Sequence, residues 1–245
     1  MKELLDRDDI PFEDIERNMQ ELDSINRRLG GHAITLAGFK KLLEQQDLLK
    51  PGAFMEQKSP LKKPPIPLPL LVAEIGCGGG DNLLAIRRYC REHNRAVRFI
   101  GVDLNPHCIT VARSKFSDAE ASWITADYRT VSFGEQRPDI LFSSLFCHHF
   151  GEAELVEMLQ WMRAQSGTGF FINDLHRHAL AYHSIRLLVS LFSRSYLVKN
   201  DAPLSVLRGF RRVEWEQILD RAGIKEYILE WKWAFRWLLI ILTHG

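Results

Sequence analysis

The chain has 245 residues and predicts an α/β fold: a seven-stranded, mostly parallel sheet with helices on both faces and an antiparallel hairpin at its end. Three observations carry this expectation. Between 70 and 175, short and nearly continuous apolar runs alternate with amphipathic stretches, as parallel strands buried on both faces alternate with helices. A glycine-rich turn follows the first run. Two further apolar runs, 227–231 and 234–242, lie close enough to pair as a hairpin.

The elements follow in order. Ile15, Met19, Leu22, Ile25 and Leu29 recur with helical spacing and give one apolar stripe, stopped by Gly30 and Gly31. Thr35 is placed to cap a second helix carrying Leu36, Phe39, Leu42 and Leu43. These two helices, within 1–59, are expected to form a lid. The segment Ser59 to Pro69 holds five prolines in eleven residues, which excludes helix and central strand, so 60–69 reads as an extended connector. The body, 70–245, carries strands at 70–75, 99–104, 122–125, 139–145 and 169–174, followed by a helical insertion at about 176–212. That insertion and the lid would roof a pocket with Leu36, Phe39, Leu187, Leu188, Leu191, Phe192 and Tyr196.

Composition narrows the function classes. Lys plus Arg number 32 against 31 Asp plus Glu, so no global field draws the chain to nucleic acid or an anionic membrane. Between 176 and 245 bases outnumber acids, with Arg208, Arg211 and Arg212 at the centre of the excess. The four cysteines, Cys77, Cys90, Cys108 and Cys147, form no C-x-x-C pair and read as free thiols of a reducing, cytoplasmic compartment. Charged residues at the start argue against a secretion signal, and the longest apolar stretch is far short of the roughly 20 residues of a membrane span.

The most informative residues are Glu74, Gly76, Cys77, Gly78, Gly79, Gly80 and Asp81, where a buried strand turns into a helix. A dinucleotide fingerprint started at Gly76 would need its third glycine where Asp81 stands, and that carboxylate would repel a pyrophosphate at the helix N-terminus. No Gly-Lys-Ser/Thr follows, so a P-loop is excluded as well. What fits is acid-x-Gly-x-Gly-x-Gly, filled by Glu74, Gly76, Gly78 and Gly80. Asp103 follows Gly76 by 27 residues at a strand end, where two carboxylate oxygens suit a vicinal diol. Asn105 is the better helix cap of the two. Asp127 and Tyr128 follow the third strand, and the fourth runs into Ser143, Ser144, Leu145, Phe146, Cys147, His148, His149 and Phe150.

Over 70–175 this set resembles the class I S-adenosylmethionine-dependent methyltransferases, in their small-molecule (ubiquinone/polyketide-type) branch. The resemblance implies a Rossmann-like fold and S-adenosyl-L-methionine as cofactor, with S-adenosyl-L-homocysteine as product. It implies that Glu74 holds the cofactor's ammonium, directly or through water, and that Gly76, Cys77, Gly78 and Gly80 line it. Asp103 would take the ribose, Leu104 and Ser143 would border the site, and Asp127 with Tyr128 would meet the adenine.

Methyl transfer needs alignment and, for a hydroxyl acceptor, a base. His149 and His148 follow the fourth strand, at the sheet edge where ligands bind, and imidazole suits deprotonation of a phenol or enol. On an extended segment adjacent side chains point opposite ways, so one of the pair at most would face the acceptor. Asp174 and His176 end the fifth strand on the same edge and are the further catalytic candidates. No metal is expected, because the histidines at 148–183 lack a supporting carboxylate pattern. The expected partner is a small aromatic or lipid-like acceptor, methylated on oxygen first and on carbon next, with a homodimer left open. A nucleic-acid methyltransferase fits less well, since Ser143, Ser144, Leu145 and Phe146 stand where such enzymes carry a Pro-Pro-aromatic turn. A non-catalytic cofactor-binding module is the alternative from another class.

Overall fold

β1 (Leu70–Ile75) is apolar at nearly every position because both its faces are covered, and Glu74 is the exception. The computed structural model describes residues 3–7, 9–49, 68–134 and 136–243. After β1 come α3 (Asp81–Glu92), β2 (Val97–Asp103), α4 (Pro106–Arg113), β3 (Ala121–Thr125), β4 (Ile140–Ser144), α5 (Glu152–Gln165) and β5 (Gly169–Leu175). Then follow α6 (Ala179–Phe192), α7 (Tyr196–Arg208), α8 (Arg212–Arg221), β6 (Ile228–Lys232) and β7 (Arg236–Leu242); α1 (Phe12–Arg28) and α2 (Gly31–Leu49) precede β1. The sheet order is β3-β2-β1-β4-β5-β7-β6. β1 to β5 pair in parallel and β7 runs antiparallel to both neighbours. This is the seven-stranded Rossmann-like fold that the sequence predicts. The order reverses between β1 and β4, and an open α/β sheet binds ligands beyond the strand ends at such a point.

The two faces of the sheet carry separate apolar layers. Ala73, Ile75, Leu141, Phe170 and Ile172 meet Leu155, Leu159, Trp215 and Leu219 of α5 and α8. Val72, Phe142, Phe171 and Leu238 meet Phe39 and Leu42 of α2 and Leu83 and Ile86 of α3. α2 is therefore a layer of the core, and Phe39 is fully buried in it rather than roofing a pocket. Gly38 allows this contact, since a Cβ there would lie 2.6 Å from the Phe171 ring. α1 instead packs Ile15 and Met19 against Cys108 and Val111 of α4 and Leu197 of α7. Glu21 fixes it there by accepting from the backbone N–H groups of Arg194 and Ser195.

Other expectations shift locally. Thr35 lies inside α2, where its hydroxyl donates to Asn82 and accepts from Asn173 instead of capping the helix. Asn105 caps α4 as expected, accepting from the His107 N–H. The hairpin turn is Trp233, Ala234 and Phe235, the last two in the left-handed region at φ 63° and 56°. Leu187, Leu191, Phe192 and Tyr196 are exposed rather than turned into a pocket, and Leu188 lines one. All four cysteines are free and buried. The connector at 60–69 lies outside the described residues except for Leu68 and Pro69. Among the described residues, no helix is long and apolar enough to cross a membrane.

Candidate active site

β1 ends where Gly76 takes φ 66°, and the chain turns through Gly78 and Gly80, also left-handed, into α3. Glycine reaches these angles without the clash a Cβ would bring. At Gly76 that clash would be severe, because an added Cβ would stand 2.3 Å from the Phe146 ring. The turn forms one wall of a cleft of about 570 Å³ lined by Glu74, Gly76, Cys77, Gly78, Asp103, Leu104, Asp127 and Tyr128. α1 roofs it with Ile15, Met19 and Asn26. Asp81, in the first turn of α3, pairs with Lys115 at 2.6 Å.

Two carboxylates in this cleft lack full partners. Glu74 is wholly buried; Oε1 accepts from Asn82 at 2.9 Å and Oε2 has no partner among the described residues. Burial raises its pKa well above the usual range, with Asp81 and Asp103 adding to the rise against the Asn82 bond. Asp103 accepts from the Gly78 N–H at 2.8 Å and the Asn105 N–H at 2.9 Å, one bond to each oxygen. Burial raises its pKa, and those two N–H groups offset part of the rise. Each oxygen keeps acceptor capacity. An orphaned buried carboxylate beside a second with spare lone pairs fits a ligand carrying an ammonium and a diol.

A second, mostly apolar cavity of about 370 Å³ lies under α1, α6 and α7, lined by Leu22, Ile25, Leu29, Ile185, Leu188 and Val198 among others. The two spaces adjoin at Leu5, Leu22, Asn26, Leu145 and His149, a neck of residues that line both. Leu145 follows β4 at φ 55°, strained for a leucine, and its N–H donates to the Asn173 carbonyl. Arg208 of α7 donates to the carbonyl of His149.

His148 and His149 are not on an extended segment. They share a 3-10 turn, Cys147–His149, that faces their rings at 4.6 Å between centroids. His148 is buried, with Nδ1 2.8 Å from Asp174 and Nε2 3.5 Å from Glu3. Burial pulls its pKa down, but Asp174 and Glu3 outweigh that and push it up to about 9. At neutral pH it is an imidazolium and cannot act as a base. His149 Nε2 lies 3.7 Å from Glu3. Glu3, His148 and His149 bring potential ligand atoms within 4.8 Å of one another, and a cation there would have to displace the proton that Asp174 and Glu3 hold on His148.

The remaining sequence-predicted residues fall as follows. Asp174 is fully buried, lines neither cavity, and accepts from His148 and the N–H groups of Phe146, Cys147 and Leu175. It positions the histidine turn rather than touching a ligand. His176 lines neither cavity, and its Nδ1 accepts from Trp231. Ser143 is buried against Cys147, while Ser144 faces the cleft. Gly80 shapes the turn without lining the cleft. Asp127 lines it but is engaged by Arg129, whose N–H it also caps. Sequence reasoning missed Glu3, Asn26 and Asn82. Only Asn82, one residue beyond the glycine turn, carried a local signal.

Residues 72–169 match a family described as "Methyltransferase domain". Among solved structures, the chain is similar to the plantazolicin methyltransferase BpumL, in complex with a triazolic desmethylPZN analog and SAH. The identity is 14% and the TM-score 0.63, over 94% of this chain and 91% of that one. It is similar to magnesium protoporphyrin IX methyltransferase of Synechocystis PCC 6803 with bound SAM, at 12% identity and TM-score 0.54, over 91% and 84%. It is also similar to a Nostoc punctiforme PCC 73102 protein provisionally named an O-methyltransferase, at 16% identity and TM-score 0.52, over 71% of this chain and 51% of that one. This chain thus spans about half the length of the last. A search of curated proteins gave no match. The family match thus spans residues 72–169, from β1 to the start of β5, and the solved structures share the fold of the seven-stranded sheet around it.

Proposed function

We propose that the protein transfers a methyl group from S-adenosylmethionine to an oxygen of a small apolar acceptor and releases S-adenosylhomocysteine. The observation that carries this reading is the neck: a cleft with two under-partnered carboxylates adjoins a mostly apolar cavity, and His149 lines both. When bound, the sulfonium supplies an electrophilic methyl group whose departure leaves a neutral thioether. Glu74 Oε2 takes the ammonium, Asp103 the ribose hydroxyls, and Leu104, Asp127 and Tyr128 border the base. The two solved relatives with SAM and SAH in their descriptions support the same cofactor here.

His149 would accept the acceptor's hydroxyl proton and so leave its oxygen ready for the methyl group that the cofactor would supply. α1 and the neck exclude water and hold the acceptor in line, which contributes up to about 7–11 kcal/mol in ideal cases. A carbon of an electron-rich ring would use the same alignment and base, and product analysis separates the two.

Calorimetry with S-adenosylmethionine, then release of S-adenosylhomocysteine on a panel of phenols and apolar acids, tests the proposal. Binding with no turnover on any acceptor would favour a cofactor-binding module instead. Asp103→Ala is expected to weaken cofactor binding by about 1–3 kcal/mol, read in the same titration. Unchanged affinity would remove Asp103 from the ribose role. His149→Ala is expected to lower kcat by about 10²–10⁴-fold with cofactor affinity kept. A collapse of cofactor affinity would assign that ring to the fold rather than the chemistry.

A further inference from the structure

Arg236, the first residue of β7, is 3% exposed and lines the acceptor cavity. Its Nη2 donates to Asn26 Oδ1 at 2.8 Å, while Nε and Nη1 are buried without any partner among the described residues. The nearest counter-charge with a felt effect is Asp174, but that carboxylate is spent. Oδ1 accepts from His148 and the Leu175 N–H, and Oδ2 from the N–H groups of Phe146 and Cys147. Burial accordingly pulls the Arg236 guanidinium down to about 10 against the weak pull of Asp174. A guanidinium sealed among apolar side chains with open N–H groups is costly unless something in the cavity pairs with it.

The surroundings are built to hold that group in place. Trp233, Ala234 and Phe235 precede it and line the same cavity, with Ala234 and Phe235 both in the left-handed region. Two left-handed residues in a row are what the tight turn between β6 and β7 requires, and that turn fixes where Arg236 begins its strand. Asn26, which anchors the guanidinium, also belongs to the neck. The unpaired donors therefore belong to a wall residue whose anchor also borders the cofactor cleft, in a chamber that is mostly apolar, with Glu3, Asp201 and the histidine pair among its exceptions.

We infer that the acceptor is an apolar molecule bearing a carboxylate, which Arg236 recognises through the donors its own fold leaves open. The planar guanidinium matches a carboxylate in shape and charge, and the apolar wall takes the rest of the molecule. This rests on the methyltransferase reading only for calling the ligand an acceptor; the anion site stands on Arg236 itself.

The test uses two probes of one shape, 2-naphthoate and 2-naphthamide, titrated into the full-length protein with and without S-adenosylhomocysteine. The naphthoate is expected to bind at least tenfold more tightly than the neutral amide. Arg236→Gln should bring naphthoate down to the level of the amide and leave the amide unchanged. Should that variant fail to fold, Asn26→Asp supplies an internal counter-ion to the guanidinium and should abolish the same preference. Equal affinities in the native protein, no binding of either probe, or a preference that survives a folded variant would overturn the proposal. Whether S-adenosylhomocysteine itself binds is a separate titration, and its failure would count against the methyltransferase reading rather than against the anion site.

Discussion

Gly76→Ala is expected to lower affinity for S-adenosylhomocysteine by about 100-fold or more, and to lower the melting temperature as well. The new residue would have to hold φ 66°, which costs an L side chain roughly 1–2 kcal/mol. The steric problem is larger. Its Cβ would stand 2.3 Å and 2.5 Å from two atoms of the Phe146 ring, so that ring must move. Phe146 packs edge-on to Tyr128 at 6.1 Å and Phe150 at 4.9 Å, and lies 6.2 Å from His149. All three neighbours line the cofactor cleft, so the displacement would reach both the cofactor's bed and the neck. Gly78→Ala is the matched control. It carries a similar backbone cost at φ 50°, but its Cβ would meet only Met19 Sδ at 3.4 Å. Calorimetry should show about a tenfold loss there. If both substitutions weakened binding equally, backbone strain rather than the Phe146 contact would be in control.

The parts of this molecule legible in the sequence are those fixed by neighbours in the chain. The run before Gly76 could only be a buried strand, the acid-glycine spacing identified the turn, and Asn105 declared itself as a cap beside Asp103. What stayed hidden is what tertiary packing brings together. Glu3 lies near the start of the chain and Arg236 near its end, and no spacing rule connects either to His148 or to Asn26. The amphipathic stripe of α2 was plain, yet a stripe does not say which surface it covers, and α2 went to the sheet. His176 ends a strand on the correct edge, but the hairpin turns Trp231 toward it and takes up its ring nitrogen. The histidine pair was visible as chemistry; the 3-10 turn that sets both rings side by side was not.

That turn gives the other large effect. His148→Gln is expected to cost about 3–5 kcal/mol at neutral pH, because it leaves Glu3 and Asp174 buried without the cation between them. For a chain of this size that is a melting-temperature loss on the order of 10 °C. The pH dependence separates a charge effect from lost packing. His148 is raised from 6.5 to about 9 in the folded protein, so the stability it contributes is fully present below about 6.5 and is lost as pH rises through about 9. A shift of that size corresponds to about 3 kcal/mol across the interval. Burial alone would raise Glu3 and Asp174, but His148 outweighs it, joined by His149 and Ser205 at Glu3 and by backbone N–H groups at Asp174, and both stay below their ordinary values, so their share is lost in acid instead. Melting curves of the native protein should therefore fall from pH 6.5 to 9.5. Those of His148→Gln should start lower and run flat over that range, then improve toward acid, where one stranded carboxylate can take up a proton. Parallel curves would mean that glutamine had merely packed badly, with the imidazolium contributing nothing by its charge.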